Sequence, residues 1–522
     1  MTDPHLVGSE SPTLSVLIPL RPGARVSLIV DSLRQQHNQS WELLIVGTAT
    51  ATSDALRSLG YEDSRVRVVK TDHSDLAALL TEGQLHARGE FVLFAPRDAI
   101  FRRDVVSSLT KVAREHADVD VIYTDEDIER GRRIDSLLIR KPSFSPERLR
   151  CQFYLGDPVF YRATLLAELG GVRSSFPGAE LYDLALRATT AARRVEHIAE
   201  VLFTLPAGSQ RPGIFAQEAL DSVASALREH LAATGGGTVE ATNESGIHHT
   251  SRPVLGDPLV SIIIPTRGSY CAVRGDRRCL VVEAVRSIIE KSTYRNYEIV
   301  VVMDDVAGTD HIAEELAAIA GDVLRVVWWD RPFNFSSKVN FGAFHARGEF
   351  LLFLNDDVEL ISPGWLEALL SLAQRPNAGM VGAMLYFEDD TIQHAGHLYE
   401  RGDAGHIGKG SPRWTPGPLG SYMVEREVSG VTAACSIMPR TAFERAGGFS
   451  ILLPGNFNDV DLCLKVNELG YQIYWTPHAE LYHYESKTRI SRVSLYEVTT
   501  AWGRWSWKLD DPTFWPYGIH AE

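Results

Sequence analysis

The run Phe350-Leu351-Leu352-Phe353-Leu354 ends abruptly in Asn355-Asp356-Asp357. A buried apolar strand that delivers two carboxylates to its end is costly unless those charges meet a partner. Hard cations such as Mg²⁺ and Mn²⁺ take oxygen ligands, and one or two carboxylates plus substrate phosphates suit them. A turn with a helix cap is the plainer reading, since Asn and Asp are common in both. A second acidic pair stands in Asn458-Asp459-Val460-Asp461, where Val460, Leu462, Leu464 and Leu469 are spaced like the start of a helix. One carboxylate there is a cap or a dipole partner, and Asp461 takes that role. Asp459 is then free to face a crevice and act as a general base. The third group, His483, follows the strand-like Trp475 to Tyr482. A lone His is more often structural than a ligand, but here it would complete an Asp-plus-His metal site.

Such groups need a scaffold that brings strand ends together, and the chain contains that scaffold twice. His86-Ala87-Arg88-Gly89-Glu90-Phe91 returns unchanged as His345-Ala346-Arg347-Gly348-Glu349-Phe350. Around it Ser15 to Pro19 matches Ser261 to Pro265, and Trp41 to Val46 matches Tyr297 to Val302. Glu168 to Val172 matches Arg445 to Phe449, and Asp183 to Arg187 matches Asp461 to Lys465. A repeat this long is a duplicated domain, not a short-period solenoid. Each copy opens with a Val- and Ile-rich run, a helical stretch and another apolar run without clean alternation. That pattern predicts strands buried on both faces, in a mostly parallel sheet with helices on either side. A ligand then binds beyond the carboxyl ends of the strands. The segmentation is 11–210 for the first copy, 211–257 for a helix and irregular polar linker, 258–490 for the second copy, and 491–522 for a helical Trp-rich extension that packs its aromatics on copy two.

With 522 residues, the chain exceeds one ordinary core. Its 44% hydrophobic and 23% charged residues are those of a globular protein, and a formal charge of −15 disfavours nucleic acid and anionic membrane as general partners. Met1 to Ser11 has no basic-then-apolar pattern, and no apolar run is long enough to span a bilayer. Five cysteines without paired zinc spacing read as free thiols of a cytoplasmic protein, Cys271 and Cys279 included.

At these residues the chain resembles the two-domain family-2 glycosyltransferases of bacterial surface polysaccharide and O-antigen synthesis, over about residues 11 to 490. The resemblance rests on Tyr123-Thr124-Asp125-Glu126-Asp127, Lys141-Pro142, Phe144 to Glu147, Pro332 to Ser336, Ile392 to Gly396, Phe457 to Asp461 and His483 to Ser486. It implies two tandem nucleotide-diphospho-sugar transferase (GT-A, Rossmann-like) folds. It implies Asp357 and His483 as metal ligands, Asp356 near ribose or metal, Thr266, Asp304 and Asp305 at the nucleotide base, and Asp459 as the catalytic base. The implied reaction is inverting transfer from a dTDP- or UDP-sugar, rhamnose among the candidates, to a glycan or lipid-linked hydroxyl, with Mg²⁺ or Mn²⁺. A lipid carrier would bring the protein to the inner face of the membrane as a peripheral partner. Gly268 to Arg278 departs from the pattern as an insertion beside the nucleotide and leaves the donor contacts of Arg267 open.

Rival readings are weaker. A glycoside hydrolase needs two carboxylates flanking a bond and no diphosphate metal site. A sugar nucleotidyltransferase would carry a Gly-rich, basic phosphate loop after the first strand. A processive synthase would carry Gln-x-x-Arg-Trp and spanning helices, but Ala501 precedes Arg504-Trp505 where Gln should stand. A non-catalytic sugar-nucleotide or glycan scaffold describes copy one better than copy two. Copy one has Pro96-Arg97-Asp98 for Asn355-Asp356-Asp357, Leu181 for Asp459 and Gly47-Thr48 for Asp304-Asp305. Its Tyr123 to Asp127 cluster reads as a remnant or a surface feature.

Overall fold

The structure is a computed structural model that describes residues 11–20, 26–59, 63–95, 99–130, 136–209, 215–244, 246–484 and 493–517. Pro96, Arg97, Asp98, Glu485 and Ser486 lie outside the described residues. The chain divides into two compact units, Met1–Thr250 and Ser251–Glu522.

In the second unit the main sheet runs Leu324–Trp329, Tyr297–Asp304, Val260–Thr266, Phe350–Leu354, Cys435–Pro439, Ala378–Tyr386, Gln472–His483, Val358–Leu360. The first four are mutually parallel. Cys435–Pro439 runs against both its neighbours, and Gln472–His483 is again parallel to Ala378–Tyr386. Successive residues of these strands feed different cores. Ile262 and Ile264 join one cluster with Val301 and Leu352, while Ile263 joins the other with Val300, Val302 and Phe353. Both faces are therefore buried, which is why the sequence shows unbroken apolar runs rather than alternation.

The first unit repeats this order strand for strand: Val66–Lys70, Trp41–Gly47, Leu14–Pro19, Phe91–Phe94, Val159–Arg162, Val121–Glu129, Val195–Leu205, Ile100–Phe101. The directions repeat as well. The expected tandem α/β folds with mostly parallel sheets are thus present.

The identical hexapeptide turns out to be architectural. Ser261 Oγ donates to Glu298 Oε1 at 2.7 Å, the Arg347 amide donates to the same oxygen, and the Gly348 amide donates to Ser261 Oγ at 2.7 Å. The first unit has the same staple through Ser15, Glu42, Arg88 and Gly89. It ties three strands at their amino ends, the edge opposite the chemistry. A Cβ at Gly348 would come within 2.5 Å of the Leu259 carbonyl oxygen and 2.7 Å of the Ser261 nitrogen. Gly348→Ala should therefore destabilise the second unit by about 1–3 kcal/mol, as overpacking does. Denaturant unfolding checks this, and an unchanged midpoint would refute the staple.

Three expectations change. The helix expected between the copies is Leu220–Ala233, whose Val223, Ala226 and Leu227 enter the first unit's core, but the stretch after it that reads as irregular contains two paired strands, Thr238–Ala241 and His248–Ser251. Polar residues on the outward positions concealed those strands. The Tyr123 to Asp127 cluster is not a surface feature: Asp125, Glu126 and Asp127 are buried, paired with His197, Lys141 and Arg102 respectively. In the extension, helix Leu495–Trp505 starts on a Ser494–Glu497 capping box, and Trp515 is buried, stacked on Tyr422. Trp502 and Trp507, however, are half or more exposed, so only part of the aromatic set packs inward.

Candidate active site

The carboxyl edge of the second sheet opens into a cavity of about 840 Å³. Its wall includes Thr266, Asp304, Asp356, Asp357, Asp459 and His483. Six of the seven site residues singled out from sequence thus share one cavity. Asp305 does not line it. Asp304 ends its strand toward Lys338, and the next residue of the pleat is exposed, with its amide bonded to the Trp329 carbonyl.

Each side chain is held by an identifiable partner. The Thr266 hydroxyl donates to Asp356 Oδ2 at 2.6 Å. Lys338, buried on helix Phe335–His345, donates to the Thr266 carbonyl and to Asp304 Oδ1, each at 2.6 Å. Burial pulls the Lys338 ammonium below its usual range, against the pull of Asp304. Arg267, largely exposed, reaches Asp304 at 3.8 Å. Lys338 was not legible as a site residue, because a single Lys on a helix reads as a solvated charge. Removing it strands Asp304 and a buried carbonyl. Lys338→Met should lower stability by about 1–3 kcal/mol and weaken any ligand that Asp304 contacts. Thermal unfolding and nucleotide titration check this, and wild-type values in both would remove Lys338 from the site.

The adjoining carboxylates differ. Burial, and then the charge of Asp357, raises the Asp356 carboxyl to about 7. Burial also acts upward on Asp357, but the charge and hydrogen bond of His483 prevail and hold it below the usual range. His483 Nε2 lies 3.1 Å from Asp357 Oδ1. On its other side Gln393 Oε1, which can only accept, sits 2.6 Å from His483 Nδ1, while the Gln393 amide nitrogen donates to the His483 carbonyl at 3.4 Å. Nδ1 therefore carries a hydrogen, the outer-partner arrangement that metal-ligating histidines use, and Nε2 is the atom turned to Asp357. A carboxylate oxygen and an imidazole nitrogen 3.1 Å apart fit a divalent cation, which would take the place of the hydrogen that now joins them. Gln393 had been noted only as part of a motif.

Asp459 lies in the first turn of helix Asn458–Glu468. The Val460 amide donates to Oδ1 at 2.9 Å and the Ala433 amide to Oδ2 at 3.3 Å, which aims the carboxylate into the cavity. Asp461 is fully buried and committed elsewhere, to Lys465, Arg504 and the Trp505 indole. The expected insertion is an antiparallel hairpin, Tyr270–Val273 with Asp276–Cys279, turning through Arg274 and Gly275 at φ 49° and 89°. Two successive positive φ values give the hairpin turn whose twist matches its strands. The Arg274 amide bonds Glu388, and its guanidinium lies over Tyr482, so the hairpin is docked at this end of the unit. Cys271 and Cys279 face different cross-strand partners, Arg278 and Tyr270, and are not joined to one another.

Fold and cavity define a tandem α/β protein of the nucleotide-diphospho-sugar transferase class. The profile of Glycosyl transferase family 2 matches residues 16–166 and 261–447, and the chain belongs to that family. It is 35% identical over 504 residues to the uncharacterized protein y4gI of Sinorhizobium fredii, covering 92% of this chain and 54% of that one. It is 31% identical over 527 residues to the O-antigen biosynthesis protein RfbC of Myxococcus xanthus, covering 98% of this chain and 40% of that one. The chain thus spans about half the length, or less, of these relatives. Over 147 residues it is 28% identical to an N-acetylglucosaminyl-diphospho-decaprenol L-rhamnosyltransferase of Mycobacterium tuberculosis, covering 26% of this chain and 48% of that one.

Proposed function

We propose that the second unit is an inverting, metal-dependent glycosyltransferase that moves a sugar from a nucleoside diphosphate to a hydroxyl of a glycan or lipid-linked acceptor. The observation that carries this is one cavity at the strand carboxyl ends holding both Asp459 and the Asp357–His483 pair. Asp357 and His483 would hold Mg²⁺ or Mn²⁺, which when bound supplies positive charge against a departing diphosphate. Asp304, fixed by Lys338, is placed to meet the nucleotide. The Thr266 hydroxyl is already given to Asp356 and acts by orienting that carboxylate. Asp459 takes the proton of the acceptor hydroxyl as its oxygen bonds to the anomeric carbon and the bond to the diphosphate breaks. One displacement inverts the configuration.

A dTDP- or UDP-linked donor, with rhamnose as the sugar, and a lipid-linked acceptor accord with the names of the O-antigen and rhamnosyltransferase relatives. Among the described residues no helix is long and apolar enough to cross a membrane, so such an acceptor would be met from the surface. The test is thermal unfolding of the purified chain with UDP, dTDP and GDP, each with Mn²⁺. A nucleotide that binds only the folded state adds about 2.7 kcal/mol at 100 times its Kd. The preferred nucleotide should raise the melting temperature only when Mn²⁺ is present. No shift with any of the three would end this reading.

A further inference from the structure

A second cluster of donor atoms reaches the same cavity wall through His397 and His406, and the chemistry above makes no use of it. Strands His397–Glu400 and Asp403–His406 form an antiparallel hairpin in which His397 and His406 stand directly opposite one another. Opposed residues of a strand pair share a face, so the hairpin presents two imidazoles side by side. His394, fully buried just before the hairpin, supplies the third ring. The ring centroids are 5.2 Å apart for His394–His397, 4.9 Å for His394–His406 and 5.3 Å for His397–His406. Each ring offers a nitrogen within 4.8 Å of those of the other two.

That near-equilateral triangle is the arrangement a single tetrahedral ion imposes. Three imidazole nitrogens at about 2.0–2.1 Å from one Zn²⁺ put their ring centroids roughly 5.2 Å apart. The site is also electrostatically prepared. Burial is the main cause that pushes all three imidazoles downward, which keeps them neutral with lone pairs available. Asp459 Oδ2, 4.0 Å from His397 Nε2, is the nearest carboxylate. Without an ion, His394 Nδ1 and His406 Nδ1 lie 2.7 Å apart and must share one proton. The Thr432 amide donates to His394 Nε2 at 3.2 Å, so His394 carries that proton. A cation would take its place, with the His394 hydrogen moved to Nε2 and the Thr432 contact given up, parting the two nitrogens to roughly 3.3 Å.

We propose that His394, His397 and His406 form a second metal site, selective for a borderline divalent ion such as Zn²⁺, separate from the Asp357–His483 pair and with Asp459 beside it. Nitrogen donors suit Zn²⁺ and Co²⁺, whereas Mg²⁺ and Mn²⁺ prefer oxygen. The two sites therefore differ in the ions they take. Zn²⁺ at this site would draw the Asp459 lone pair and inhibit transfer. The inhibition rests on Asp459 being the base, whereas the binding does not.

The experiment uses the full chain stripped with chelator and titrated with Zn²⁺ and Co²⁺, in the wild type and in Asp357→Ala. Asp357→Ala should bind one equivalent, and the wild type that one plus whatever its Asp357–His483 pair takes; in Asp357→Ala, Co²⁺ should show the strong visible absorption of a four-coordinate ion. His406→Gln, on the rim of the cluster, should weaken uptake by more than the about 10–100-fold that losing an outer partner costs, and His397→Gln should do the same. Should either variant fail to fold, the Co²⁺ spectrum of Asp357→Ala decides by itself. No uptake, a six-coordinate Co²⁺ spectrum, uptake that survives both His substitutions, or uptake lost in Asp357→Ala would each overturn the proposal. Zn²⁺ binding without any measurable transfer would sustain this site and count against the proposed reaction alone.

Discussion

Asp459→Asn should lower the rate of sugar transfer by about 10²–10⁴-fold, the usual contribution of a positioned proton acceptor, and leave nucleotide affinity unchanged. The asparagine keeps the shape of the side chain, and its oxygen can still accept from the Val460 or Ala433 amide that now holds the carboxylate. What it loses is the capacity to take a proton at neutral pH. Nucleotide affinity is spared because Asp304, Thr266 and Asp356 form their own set of contacts with Lys338, none of which involves Asp459. Single-turnover rates and nucleotide titrations on the same preparation separate the two effects. An unaltered turnover number would remove Asp459 from the mechanism. Asp461 would not be a ready substitute, because its carboxylate is fully buried against Lys465, Arg504 and Trp505. Loss of Asp461 should appear as lost stability instead.

These two aspartates show where the sequence was informative. Asp459 and Asp461 lie two positions apart at a helix start, and on a 3.6-residue period they must diverge, so one structural and one free carboxylate was a physical inference. Asp461 is structural through Lys465, Arg504 and Trp505 and not as a cap, Phe457 standing at the N-cap without a side-chain bond. The strand ends were legible for a similar reason, since an apolar run that stops in charged residues must stop at an edge. Contacts that join distant segments were not legible. Lys338 reaches Asp304 across 34 positions and Gln393 reaches His483 across 90. The His397–His406 pair needs a hairpin register that local spacing does not fix. The hexapeptide shared by both copies was the clearest sequence signal, yet it belongs to the amino-end staple and not to chemistry. Identity between copies marks what both must keep, which here is the fold. The site has to be sought where they differ.

That difference carries the other large effect: Asp357→Ala should abolish transfer and weaken nucleotide binding together, whereas Asp98→Ala, its counterpart in the first unit by sequence, should leave the rate nearly unchanged. In the second unit Asp357 and His483 face each other at 3.1 Å, with Gln393 fixing the ring, so removing the carboxylate leaves a lone imidazole that cannot hold a divalent cation firmly. Activity should be equally sensitive to chelator, and full activity in excess chelator would overturn the metal requirement. The first unit can be compared register by register. Val358 pairs with His483 and Leu360 with Leu481, while Phe101 pairs with Phe203 and Ile100 with Thr204. With Phe101 matched to Leu360, the position of His483 falls on Leu205, which is buried and has no lone pair to give. The position of Asp459 falls on Leu181, which packs against the first unit's core. The position of Asp304, two past the Val302 that matches Val46, falls on Thr48, which has no carboxylate. Ligand, base and nucleotide carboxylate are thus each replaced by a residue that cannot serve, while the sheet order and the staple persist. Transfer assays on Asp357→Ala, Asp98→Ala and the double variant, each with a melting curve to confirm folding, decide the matter. Comparable losses from the two single changes would show that the first unit still performs chemistry.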